Sequence, residues 1–197
     1  MFTDVKFTQV TKEDVARMGE WLNDKDVSAS WYGTNKDGEP LHIGYTPRTV
    51  LEASDKEWAE VFDSDVRKIF SVNTVDGEHI GEAQMVIEAA LWEAQLFVLV
   101  GRKDLWYQGY GTSAFVQLLD MTFDTYGLHR AWVDIPEYNR PAIHVCERIG
   151  FVLEGHLRGT HPKDGKWYDS IAMGLLANEY VRRRARLMEM SSQPAVQ

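Results

Sequence analysis

The chain is nearly devoid of cysteine, with Cys146 standing alone in 197 residues. A single thiol excludes an internal disulfide and any zinc site built from several cysteines, and it agrees with a reducing compartment. Long apolar runs are also missing: none approaches the roughly 20 residues that a membrane-spanning helix needs. Met1 to Val10 has neither the basic start nor the apolar core of a secretion signal. Positive charge is scarce as well, the formal net charge being -9, which argues against general nucleic-acid binding. Together these absences predict a soluble, cytoplasmic protein with neither a membrane nor a nucleic acid as partner.

What is present suits one compact domain with a sizeable core, since 44% of the residues are hydrophobic and 26% charged. The domain is expected over residues 1–180, with a helix end and loose tail over 181–197. Acidic residues outnumber basic ones twofold in the N-terminal third, whereas the remainder is nearly balanced. Such an asymmetry favours attraction of a cation to one part of the surface while an anionic ligand is tolerated elsewhere.

Hydrophobic spacing and turn residues divide the chain. A strand is expected from Val5 to Val10, then a helix that is capped near Thr11 and runs to about Asn23. Ser28 to Pro47 reads as a short helical turn and a long loop, in which Trp31, Tyr32 and Tyr45 are candidate substrate walls. Thr49 to Asp63 reads as helical. Lys68 to Thr74 and His79 to Glu88 flank an Asp-Gly hairpin turn. A strand follows over Ala94 to Val100, a helix over Thr112 to Tyr126, a strand over His129 to Ile135 and a helix over Arg140 to Ile149. A hairpin of Phe151 to Thr160 and Lys166 to Leu175, a basic helix over Asn178 to Met190 and a tail from Ser191 complete the order. Hairpins first and strand-helix-strand crossovers later predict a mixed α/β sheet with helices on both faces.

Two segments carry chemistry. Asp104-Leu105-Trp106-Tyr107-Gln108-Gly109-Tyr110-Gly111-Thr112 joins a strand to a helix start through glycines. Unpaired amides and the partial positive charge of a helix N-terminus make such a turn an anion cradle. It is not a nucleotide triphosphate loop, because Thr112, Ser113 and Ala114 follow Gly111 where a lysine is required. The second segment, Asn139 to Phe151, starts a helix with Asn139 as cap and Pro141 in the first turn, and ends it at Gly150.

These segments together resemble the GNAT acetyltransferase superfamily, in particular its RimJ/RimL-like branch. Lys103 to Thr112 is similar to the acyl-CoA motif of that branch, and Asn139, Ala142, Gly150 and Phe151 match its Asn-x-x-Ala-to-Gly-Phe helix. The likeness extends from about Val5 to Tyr180 and includes Ile80-Gly81-Glu82 and the Asp164 to Asp169 hairpin. It implies a single GNAT-like domain, with a mostly antiparallel sheet of about seven strands that splays between strands 4 and 5. It also implies an acetyl-CoA-dependent N-acetyltransferase that acts on a primary amine by direct attack and needs no metal. A module that binds acyl-CoA without catalysis is the alternative.

By the same resemblance, Val98, Leu99 and Val100 pair with the pantetheine arm, and one of their amides serves as oxyanion donor. The amides from Gln108 to Thr112, that is of Gln108, Gly109, Tyr110, Gly111 and Thr112, hold the pyrophosphate, Asn139 touches the pantetheine, and Trp106, Tyr107 and Ala142 are further cofactor-binding residues. Arg102 and Lys103 are candidates for further phosphate contacts. Glu82 is the first candidate base, with Asp134, Glu93, His144 and His156 behind it. Cys146 stands where many members carry a tyrosine acid, and three readings stay open: an acid, a nucleophile or a small packing residue. The acceptor is expected to be a cationic amine, either a small molecule or a protein N-terminus, and a homodimer through the final strands is a further expectation.

Overall fold

The computed structural model describes residues 2–192. Local signals set most of its elements. β1 (Val5–Thr8) leads into α1 (Lys12–Asn23), where Thr11 and Asp14 form a reciprocal capping box. Asp24 caps α2 (Lys25–Ser30). The single helix expected over Thr49 to Asp63 is two: α3 (Pro47–Val50) and α4 (Asp55–Phe62). Ser54 and Glu57 form a second capping box, and a side chain that satisfies helix-start amides there ends one helix and begins another.

β2 (Arg67–Thr74), β3 (His79–Glu88) and β4 (Glu93–Val100) make a continuous antiparallel meander. Then come α5 (Tyr110–Asp120), β5 (Arg130–Pro136), α6 (Arg140–Ile149), β6 (Val152–Lys163), β7 (Lys166–Leu176) and α7 (Ala177–Ser192). Regular α5 stops at Asp120, short of the expected Tyr126, because the chain widens into a π-type turn over Met121–Thr125. Thr122 donates its hydroxyl to the Leu118 carbonyl at 2.8 Å, a bond that competes with the regular ladder. Ser191 lies in α7 rather than in a tail, and residues 193–197 of the expected tail lie outside the described residues.

The strands form one seven-stranded sheet in the order β1-β2-β3-β4-β5-β7-β6. Every neighbouring pair is antiparallel except β4 with β5. That parallel pair is joined only from Glu93–Arg130 to Gln95–Trp132, and an Arg130–Glu93 ion pair at 2.7 Å fastens its closed end. Beyond Gln95 the two strands part.

Because side chains alternate across a strand, the two faces carry separate cores. Ala83, Met85, Leu96, Val133 and Met173 pack with α5, α6 and α7 on one face. Phe97 and Leu99 pack with Met18, Leu22, Val27, Trp31 and Tyr32 on the other. Each fully buried Leu, Ile or Met contributes about 1.5–3 kcal/mol relative to exposure. With both faces covered, even the polar members of β3, Glu82 and Gln84, are buried.

Candidate active site

The glycine turn and the parted strands build the first cavity. Gly109 precedes α5 with φ of 93°, a left-handed conformation in which a side chain is strained, and no side chain caps the helix. The first amides of α5 therefore have no partner within the helix and face a cleft of about 450 Å³. The Trp106 indole donates to the Val100 carbonyl at 2.8 Å and ties the turn to β4.

Val98, Leu99, Val100, Trp106, Tyr107, Gly109, Tyr110, Gly111 and Thr112 all line this cleft, as do Asn139 and Ala142 on the α6 side. Gln108 does not; its side chain donates to the Asp104 carbonyl at 2.6 Å. Asn139 caps α6 by accepting from the Ala142 amide at 3.3 Å, and it donates to the Ser30 carbonyl at 2.5 Å. Arg102 is engaged by Glu78 and Asp104, and Lys103 by Asp24 and Asp26, so both cations already have protein partners.

Strand alternation assigns the amides of β4. Gly101 donates to the Ile80 carbonyl at 2.9 Å, so its backbone groups turn toward β3. Counting back by two, Leu99 also faces β3, whereas Val98 and Val100 face the open side of the splay. The Val100 oxygen is occupied by Trp106. β3 and β4 approach so closely here that a Cβ on Gly81 would overlap the Leu99 carbonyl oxygen.

A second cavity, of about 370 Å³, opens on the α1 and α2 side. Trp31 lines the first cavity and Tyr32 the second, and Val98 and Phe97 divide in the same way, so the two cavities lie on either side of these segments. The second cavity is lined by His42, Arg67, Asp134 and His161 as well as Tyr32. One carboxyl oxygen of Asp134, Oδ1, is buried without a hydrogen-bond partner. Tyr32 stacks on His161 with ring centroids 5.0 Å apart. Burial pushes the Tyr32 hydroxyl far up, and Asp134 and Tyr138 add to the shift. Burial also draws His161 down, against the opposing pull of Asp134. Desolvation lowers the Arg67 guanidinium although Glu82 works against it, and Arg67 donates to Gln84 Oε1 at 2.9 Å.

Glu82 lies behind this cavity and is 4% exposed. It pairs across the strands with Leu99, accepts from Tyr45 Oη at 2.5 Å and from Gln84 Nε2 at 2.6 Å, and has His42 Nε2 at 3.2 Å. Gln84 also donates to the Ile43 carbonyl at 2.8 Å, which fastens the loop after α2 to β3. Tyr45 is thus not a wall of either cavity, as the sequence suggested, but a buried donor to Glu82. Burial raises its hydroxyl well above the ordinary phenol range, with Glu82 adding to the effect.

Cys146 requires the largest correction. It is fully buried in the core beneath α6 and lines neither cavity. Burial pushes its thiol far up. A short side chain on the inward face of the helix cannot reach the cleft, so both the acid and the nucleophile readings fall and packing remains.

The minor candidates also separate. Asp134 faces the second cavity, whereas Glu93 is paired with Arg130 at the closed end of the splay. His144 borders the first cleft with an exposed side chain, and His156 sits on the exposed strand β6. Among the described residues no His, Cys, Asp and Glu side chains gather in threes to hold a metal ion.

Sequence reasoning missed His42 and Tyr138. Tyr138 lines the first cleft, and its buried hydroxyl has no partner. Burial, with Tyr168 and Asp164, holds that phenol up at about 12, and the Lys163 ammonium lies 4.2 Å from its ring centroid. Its place directly before Asn139 was the available signal. His42 had none, because only the folded loop brings it to Glu82.

The family model for the acetyltransferase (GNAT) domain matches residues 4–152. The chain is 24% identical over 180 residues to spermidine N(1)-acetyltransferase of Escherichia coli K12, covering 90% of this chain and 88% of that protein. It is 30% identical over 76 residues to the Vibrio cholerae spermidine N(1)-acetyltransferase, or 39% of this chain and 44% of the other. The crystal structure of the Vibrio cholerae spermidine N-acetyltransferase with CoA and spermine superposes with a TM-score of 0.75 at 18% identity, covering 90% of this chain and 98% of that one.

Proposed function

Because the chain belongs to the GNAT acetyltransferase family, and is therefore an acetyl-CoA-dependent N-acetyltransferase, we propose that its acceptor is a primary amine of a small polycation of the spermidine type. The observation that carries this reading is Asp134 Oδ1, a buried carboxyl oxygen without a partner in the second cavity. A buried carboxyl oxygen without a partner is costly, and an ammonium group supplies the donor that it lacks. The spermidine acetyltransferases among its relatives support the same class.

In this reading the α5 amides hold the pyrophosphate of the acetyl donor, and β4 guides its arm along the splay. The Val98 amide faces the carbonyl oxygen that gains charge as the amine attacks. Trp31 and Tyr32, and Val98 and Phe97, line opposite cavities, so the amine and the thioester approach these segments from opposite sides. Attack is direct, since Cys146 is out of reach. Glu82 places its carboxylate behind the amine side, and Tyr138 offers its hydroxyl to the departing sulfur. The RimJ/RimL-like likeness of the two motifs concerns the donor side, which leaves the acceptor to be decided by the second cavity. Exposed Val152, Leu153, Leu157 and Trp167 on β6 and β7 support association with a second copy.

The test is release of free CoA from acetyl-CoA with polyamines, aminoglycosides, amino acids and N-terminal peptides. Turnover with polyamines ahead of the other groups is expected. Tight CoA binding with no turnover on any amine would instead favour a binding module.

A further inference from the structure

The carboxylate that best suits proton removal is not the group that an amine would meet. Glu82 lines neither cavity, and two of its contacts are already used by Tyr45 and Gln84. Between it and the second cavity stands His42, whose side chain is 2% exposed and whose Nε2 is 3.2 Å from Glu82 Oε1. Its ring is held against Tyr45 at 4.4 Å and Trp31 at 6.1 Å between centroids. Nδ1 has no hydrogen-bond partner, and Nε2 has only the Glu82 carboxylate at ion-pair distance. A buried imidazole with unmet hydrogen-bonding capacity, beside a carboxylate and on the wall of a polar cavity, has the arrangement of a general base with its orienting acid.

From this geometry we infer that His42 is the catalytic base, and that Glu82 acts through it as a positioning residue that keeps the proton on Nε2 and the lone pair on Nδ1. The inference rests on the second cavity receiving the amine. An arriving ammonium gives one proton to His42, which later returns it to solvent. The neutral nitrogen forms a bond to the thioester carbonyl carbon, the carbon–sulfur bond breaks, and the second nitrogen proton leaves with sulfur as the thiol. The products are the N-acetyl amine, CoA and one proton. The other titratable or charged groups around the cavity are Tyr32, Arg67, Asp134 and His161, with Glu82 and Tyr45 behind His42.

The experiment compares wild type, His42→Ala, His42→Gln and Glu82→Gln with acetyl-CoA and spermidine. Both His42 variants are expected to lose about 100-fold or more in kcat, the range of general-base catalysis, with CoA affinity unchanged. Added imidazole should restore turnover to His42→Ala but not to His42→Gln, whose side chain fills the space. Retained CoA binding shows that each variant is folded. Nitrogen NMR of the CoA complex supplies a readout without turnover: the His42 proton is expected on Nε2 in wild type and redistributed in Glu82→Gln. Near-wild-type turnover by His42→Ala, or an Nδ1 proton in wild type, would overturn the assignment. Failure of wild type on every amine, with the NMR signature intact, would count against the polyamine reading instead.

Discussion

The anion cradle at the start of α5 is made of neighbouring residues and backbone, whereas the cavity beneath His42 is made of side chains from β2, β3, β4, β5, β6 and the loop after α2. The first needs a helix start, a left-handed glycine and an open strand edge, all of which arise within a short stretch of chain. The second exists only once the loop over residues 31–46 has folded back onto β3, fastened through Gln84 and Ile43. The anion-holding turn is built locally, while the rest of the cleft and the whole second cavity are assembled from distant segments.

Four substitutions sharpen that contrast. The largest effect is expected from Gly111→Trp, which fills the cleft at the helix start and should weaken CoA binding by about 1,000-fold, or ~4 kcal/mol, in calorimetry. Because a Cβ at Gly111 would meet only Val100 at ordinary contact distance, the fold itself should survive. Unchanged affinity would remove the cradle from the account. Glu82→Gln belongs to the other cavity, and steady-state kinetics should show kcat lower by about 100-fold with CoA affinity intact. A loss of CoA affinity instead would mean that the two cavities are not independent.

Tyr138→Phe should lower kcat by about tenfold through the loss of one hydroxyl donor, and a slow amine should show less of the effect than a fast one. No loss, or the same fold-loss with both amines, would deny it a part in thiol departure. The smallest catalytic effect is expected from Cys146→Ala, with kcat within about twofold of wild type and stability lower by about 1–2 kcal/mol in urea unfolding. A large fall in kcat without destabilisation would return Cys146 to the reaction.

The same contrast explains what the sequence disclosed. The Asn139 cap, the α5 start and the β2–β3 hairpin depend on residues a few positions apart, so their chemistry is visible in order. Cys146 occupies the expected place in the motif, but motif spacing does not show that its short side chain is buried in the core away from both cavities. Glu82 stood out in the sequence, but its burial did not, because alternation cannot show that both faces of β3 are covered. His42 and Asp134 are separated by most of the sheet in sequence, and only the sheet order and the folded loop place them around one cavity.

The most direct test of the two-cavity account is a crystal structure of the protein with CoA and spermine bound together. The pyrophosphate is expected on the amides of Gly109 to Thr112, the thiol beside Val98, and a primary amine between His42 and Asp134. An amine bound on the α5 side, or away from both His42 and Asp134, would contradict it.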